Sequence, residues 1–151
     1  MPKIDRLIGS MLLSSEVIDM SDATTDVPPG AQLLGREWLG FDETGETALI
    51  RFQARRSFSN RHGTIQGGFL AAMLDSATGI CALAGLSPDL TVVTRSLDTR
   101  FLRPAGAGLI TARARIVGRT DREMVVEAAL VDAQGGTVAE AIARLRVLQK
   151  K

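Results

Sequence analysis

The sequence predicts an α+β domain: an antiparallel six-stranded sheet with one long helix laid across one face and a short helix ahead of it. Three observations predict it. From Gly63 to Pro88 the only formal charge is Asp75, and this run of apolar and small residues is too long for a strand. Two segments before it and four after it carry strand-length apolar patterns, most of them alternating apolar with polar residues. Short turns rich in Gly, Asp and Pro separate the later segments, which suits hairpins rather than crossover helices.

Taken in order, Ile4, Leu7, Ile8, Met11 and Leu12 fall at the spacing of one helix face, so a short N-terminal helix is expected over residues 5–14. Asp19 to Gly30, ending in Pro28-Pro29-Gly30, reads as a connecting loop, and one domain is expected over residues 31–151. A hairpin follows: a strand from Gln32 to Phe41, a turn at Asp42-Glu43-Thr44-Gly45, and a strand from Glu46 to Arg55. In the second strand Ala48, Ile50, Phe52 and Ala54 share a face. The long helix is expected over Gln66 to Leu86, stopped by Gly85 and Pro88. Four strands complete the sheet: Thr91 to Leu102, Leu109 to Val117, Glu123 to Asp132 and Thr137 to Leu148. In the last, Ala139, Ala141, Ala143, Leu145 and Val147 oppose Glu140, Arg144 and Arg146. The helix is uncharged around most of its circumference, and one sheet face covers only one side. A second copy of the chain is therefore expected to cover the rest.

Composition narrows the function classes. With 18 Lys and Arg against 17 Asp and Glu, no charge excess points to nucleic acid or to a membrane surface. One cysteine, Cys81, and one histidine, His62, give neither an internal disulfide nor a zinc cluster, so no metal is expected and a reducing, cytoplasmic setting fits. The start, Met1 to Asp5 with charges of both signs, makes a poor signal peptide. The Ile65 to Leu86 stretch is close to membrane-spanning length, but Asp75, Ser76, Thr78 and its glycines favour a buried helix of a soluble domain.

Two features around the long helix carry chemistry. Gly67-Gly68 at its start lets a ligand or backbone come close, and the amide N–H groups there can donate to an anion or a polarised carbonyl; a plain turn explains the same pair. Asp75, a lone carboxylate in a helix expected to be buried, is costly unless something uses or satisfies it. It lies eight residues past Gly67, about 12 Å along a helix, too far to serve its own N-terminus. Two antiparallel helices in a dimer would bring Asp75 of one chain to Gly67 of the other. Ser76, Thr78 or a strand arginine could instead simply satisfy it. Cys81, among small apolar residues, reads as a structural thiol, and Trp38 and Phe41 as core or interface.

The string Asn60-x-x-Gly63-Thr64-Ile65-Gln66-Gly67-Gly68, with Asp75 beyond it, resembles the signature of hotdog-fold acyl-CoA thioesterases of the phenylacetate-degradation (PaaI-like) type. The order of elements from about Ala31 to Leu148 and the string Phe101-Leu102-Arg103-Pro104-Ala105 share the likeness. The resemblance implies a hotdog fold, with the sheet wrapped around the central helix, and hydrolysis of an acyl-CoA to a free acid and coenzyme A without a further cofactor. It implies that Gly67, through its N–H, and Asn60, through its side chain, polarise the thioester carbonyl. Asp75 of the opposite chain would act as general base or nucleophile, and Thr94 would orient the water. It also implies a homodimer or homotetramer.

Where that family has a histidine before the glycines, this chain has Gln66, which can hydrogen-bond but cannot exchange a proton near neutral pH. His62 could stand in for it or simply belong to the loop. Substrate contacts are expected from Gly68, His62, Arg61, Phe69, Arg95 and Arg103, with Arg100 a further candidate for the coenzyme A phosphates and with Phe58 and Met73 beside Phe69 around the acyl group. Two rival readings stay open: a hotdog enoyl-CoA hydratase or dehydratase recruiting His62, and a non-catalytic acyl-CoA-binding module.

Overall fold

A computed structural model describes residues 27–151. The helix expected over residues 5–14 lies outside the described residues. The first described element departs from expectation. Residues 29–33, expected to lead into a strand, form a short helix, α1 (Pro29–Leu33). Pro29 supplies a φ already suited to a first helical position, and Gly35, at φ +62, turns the chain out of it. Strand β1 therefore begins only at Glu37 (Glu37–Phe41). Gly35 also packs against Gln53, whose N–H donates to the Leu34 carbonyl at 3.0 Å.

The remaining elements fall close to their expected places: β2 (Ala48–Ala54), a short 3₁₀ turn (Arg56–Phe58), α2 (Gly67–Ala84), β3 (Leu90–Phe101), β4 (Gly108–Arg119), β5 (Glu123–Val131) and β6 (Thr137–Gln149). All six strands form one antiparallel sheet in the order β1-β2-β4-β5-β6-β3. The helix carries the chain across the sheet, so β3, first after the helix, lies at the far edge beside β6. This is the hotdog fold.

Alternation in the strands gives the sheet one apolar face. Ile50, Phe52, Ile110, Met124, Val126, Leu130 and Leu145 are buried on it, and α2 lies across them. The helix contributes Leu70, Met73, Leu74, Ala77, Thr78, Ile80, Cys81 and Ala82 to the same core. By length and composition α2 could cross a membrane; here that apolarity is spent on the sheet. Its buried hydroxyl is satisfied locally, Thr78 Oγ1 donating to the carbonyls of Leu74 and Asp75 at 2.9 and 3.1 Å.

The helix is not covered on all sides. Gly68 and Asp75 are exposed and Ala72, Ser76 and Gly79 half-buried along the stripe of the helix that the core leaves open. The expectation of a buried carboxylate is thus corrected for the single chain: Asp75 projects from the outer surface of a helix whose other side is core.

Candidate active site

The loop before α2 is built around Asn60. Its side-chain Oδ1 accepts the N–H groups of His62 (2.9 Å) and Thr64 (3.2 Å), while Nδ2 donates to Thr64 Oγ1 at 3.0 Å. Gly63, at φ +81, allows the tight return. Much of the hydrogen-bonding capacity of Asn60 is therefore engaged in shaping the loop. Beyond it, the Gln66 N–H donates to the Phe58 carbonyl at 2.9 Å, and the Ile65 N–H to the Ala105 carbonyl at 2.8 Å. Gln66 then enters the helix in extended conformation, and its side chain makes no capping bond.

The N–H groups of Gly67 and Gly68 find no acceptor among the described residues. They point out of the helix end, where the aligned peptide dipoles favour negative charge. The ring of Phe101 lies on Gly67: a Cβ built there would sit 3.2 Å from its Cζ. Phe101, 54% exposed, forms a wall beside the free amides. Phe58 and Phe69 stack with ring centroids 4.1 Å apart, but Phe58 is buried, as is Met73. Of the three residues expected around an acyl group, only Phe69 reaches the surface of the single chain.

More than two turns along the helix, Asp75 has a partner that none of the local alternatives supplied. Thr94 Oγ1, on β3, donates to Asp75 Oδ1 at 2.8 Å. Ser76 is engaged elsewhere, accepting from Arg36 Nη1 at 3.1 Å. A β-bulge makes the Thr94 contact possible. The pairing of β3 with β6 shifts between Thr94 and Ser96, leaving Arg95 as the extra residue. Thr94 pairs with Leu145 and Phe101 with Ala139, so both face α2 although they are an odd number of residues apart. Strict alternation would have turned one of them away. The same edge strand thereby touches both chemical features of the helix, Phe101 at Gly67 and Thr94 at Asp75.

The arginines do not converge. Arg61 and His62 are exposed in the loop. Arg95 lies 3.9 Å from Glu123. Arg100 sits across from Glu140 on the opposite face of the sheet, in an open groove of about 780 Å³ that Arg113, Arg115 and Glu127 also line. Arg103 is bound to Asp132 at 2.8 Å. Cys81 is buried, and burial pushes its thiol up to about 12, so it holds its proton at neutral pH and offers no nucleophile. No group of three or more His, Cys, Asp or Glu among the described residues is placed to hold a metal ion. Sequence reasoning missed Phe101 as a neighbour of Gly67 and Arg36 as the partner of Ser76. The bulge hid the first, and the second depends on the chain reversal at Gly35.

Comparison with known proteins places this geometry. The profile of the thioesterase superfamily matches residues 62–139, which include the start of α2, Asp75 and all of β3. The chain belongs to that family. As a member of the thioesterase superfamily it is a thioester hydrolase in the general sense. A phenylacetic acid degradation-related protein of Ralstonia eutropha has a similar structure, 33% identical, with a TM-score of 0.78 over 84% of this chain and 98% of that one. The PaaI protein of the Escherichia coli phenylacetic acid degradation operon is 25% identical, with a TM-score of 0.77 over 93% and 99%. A Saccharolobus solfataricus protein named as an esterase is 28% identical over 104 residues, 69% of this chain and 74% of its own length.

Proposed function

We propose that this superfamily member is an acyl-CoA thioesterase in which Asp75 activates water against a thioester held at the α2 N-terminus of a second copy of the chain. The observation that carries the reading is Asp75 itself, exposed on the outer surface of α2 and held by the Thr94 hydroxyl. Hydrogen-bonded through Oδ1, the carboxylate keeps Oδ2 for a water molecule. That water attacks the thioester carbon as Asp75 takes its proton. The carbonyl oxygen, gaining charge, accepts hydrogen bonds from the free N–H of Gly67, with Gly68 beside it and Phe101 limiting access of solvent. The carbon–sulfur bond then breaks, and the proton passes to the departing sulfur, giving a free acid and coenzyme A. Attack by Asp75 itself, through an anhydride that water opens, uses the same placement.

Asn60 acts in this reading mainly by shaping the loop, with its remaining amide hydrogen available to the carbonyl. Gln66 is a hydrogen-bonding neighbour. The eight-position separation of Gly67 and Asp75 keeps one chain from joining the two groups, which makes a homodimer, or a homotetramer of such dimers, part of the proposal. The unpaired edge of β3, with Val93, Phe101 and Leu102 exposed, supports a partner on that side. Phe69 and Phe101 suit an apolar or aromatic acyl group, and Arg61 and His62, exposed at the loop, are free to meet the coenzyme A phosphates. The domain is proposed to work in the cytoplasm.

Thiol release from a panel of short, long and aromatic acyl-CoAs tests this. The expected result is turnover of at least one ester and loss of about a hundredfold or more in Asp75→Asn. Full retention of rate in that variant would remove Asp75 from the mechanism. Hydration of an enoyl-CoA that is lost in His62→Ala would favour the hydratase reading instead.

A further inference from the structure

Among the arginines expected at the substrate, Arg103 is the one held at hydrogen-bond distance by a carboxylate. Its Nη2 donates to Asp132 Oδ2 at 2.8 Å, with the guanidinium half exposed and the carboxylate mostly covered. The other oxygen of that carboxylate, Oδ1, accepts the N–H groups of Gln134 (3.0 Å) and Gly136 (2.9 Å), which shapes the β5–β6 turn. The guanidinium lies directly on Gly136, so closely that a Cβ there would collide with it. The backbone is fixed at the same place, with the N–H groups of Leu102 and Arg103 both donating to the Val138 carbonyl.

What this anchored segment touches gives it a consequence at the site. Two residues before Arg103, the Phe101 ring packs on Gly67. Two residues after it, the buried Ala105 offers its carbonyl to the Ile65 N–H at 2.8 Å. The segment therefore grips the start of α2 from both ends. No other side chain joins the segment to the β5–β6 turn by an ion pair among the described residues.

We propose that Arg103 is a positioning residue: its ion pair with Asp132, seated on Gly136, latches the segment after β3 to the β5–β6 turn and so fixes the α2 N-terminus for the thioester carbonyl. This rests on the reading that the Gly67 amide binds that carbonyl. It assigns Arg103 a task different from holding coenzyme A phosphates, and it makes Gly136 part of the device, because only a residue without a Cβ leaves the guanidinium its seat.

The test compares Arg103→Gln and Gly136→Ala with wild type on one acyl group presented in two ways, as the coenzyme A ester and as the N-acetylcysteamine thioester, which has no phosphates. Amide hydrogen exchange at Ile65 is followed in parallel by NMR. A latch predicts that kcat falls about tenfold to a hundredfold on both thioesters, the cost of a small misplacement at a reacting centre, while KM changes by less than about twofold. It also predicts faster exchange at Ile65 in both variants. A rise in KM confined to the coenzyme A ester would make Arg103 a phosphate ligand and overturn the proposal, as would unchanged kcat and unchanged exchange. If wild type hydrolyses neither thioester, the thioesterase reading of the site fails, and Ile65 exchange still decides whether the latch holds the helix start.

Discussion

The contact between Thr94 and Asp75 permits a prediction that separates positioning from direct participation. Thr94→Val keeps the shape of the side chain and removes the hydroxyl that donates to Oδ1 at 2.8 Å. A hydrogen bond to a charged group contributes about 1.5–3 kcal/mol, and exposure of both residues puts this one at the low end. A loss of about 1.4 kcal/mol in the transition state is roughly a tenfold fall in kcat. Removing the base altogether in Asp75→Asn is expected to cost about a hundredfold or more. Because the hydroxyl acts through the carboxylate, the double variant should be no slower than Asp75→Asn alone, a coupling equal to the whole effect of Thr94→Val. Thr94→Ser, which restores a hydroxyl, should recover most of the rate. The assay is steady-state thiol release with wild type and the four variants at saturating acyl-CoA. Multiplicative losses in the double variant would refute the reasoning, since they would mean that Thr94 reaches the substrate or water independently of Asp75.

Two further outcomes are expected. Met73, fully buried between α2 and the sheet, should lose about 2–5 kcal/mol of stability on substitution by Ala, read from urea midpoints; a loss below about 1 kcal/mol would mean the helix is not the centre of the core. Acid should weaken the fold through three aspartates whose carboxyls sit below their ordinary value of 3.8: Asp42, held by the Thr44 hydroxyl, Asp89 by the Ser87 hydroxyl, and Asp132 by the Gly136 N–H and Arg103. A depressed folded value stabilises at pH above the unfolded one and is lost as pH falls through the folded one, so the urea midpoint should hold between about pH 7 and 5 and fall below about 4, and a midpoint still flat at about pH 2.5 would contradict this.

The strands were legible because their periods were clean. Ala48 to Ala54 and Ala139 to Val147 alternate without interruption, and both turn most of their small and apolar residues to the helix. The start of the hairpin was misread because Gln32-Leu33-Leu34 has no periodicity of its own. Pro29 and Gly35 set the local conformation there, and a proline-led helical turn fits the same residues as a strand. At the site, the spacing of Gly67 and Asp75 could be read directly, since a helix converts residue number into distance. The partners of those groups could not. Thr94 and Phe101 reach one face only because of the bulge at Arg95, and an irregular pairing leaves no signature in a strand's composition. Asp75 was expected to be buried because its neighbours are apolar, yet the core takes only part of the helix circumference and the carboxylate lies on the open flank, beside Thr94 of the edge strand. Arg103 looked like a free cation near a pocket; its true neighbour, Asp132, is far along the chain.

The bulge at Arg95 also bears on solubility. Strand β3 is twelve residues long and forms one rim of the sheet, with a row of backbone donors and acceptors facing outward. Such a rim is the usual template for open-ended stacking of chains into aggregates. The extra residue breaks the even spacing of that row near its middle. A strand added in an arbitrary register would meet mismatched hydrogen bonds. Deleting Arg95 would straighten the rim while leaving Thr94 opposite Leu145 and Phe101 opposite Ala139, both still on the helix side, so the extra residue serves as a guard against fibril-like growth that the site itself could do without.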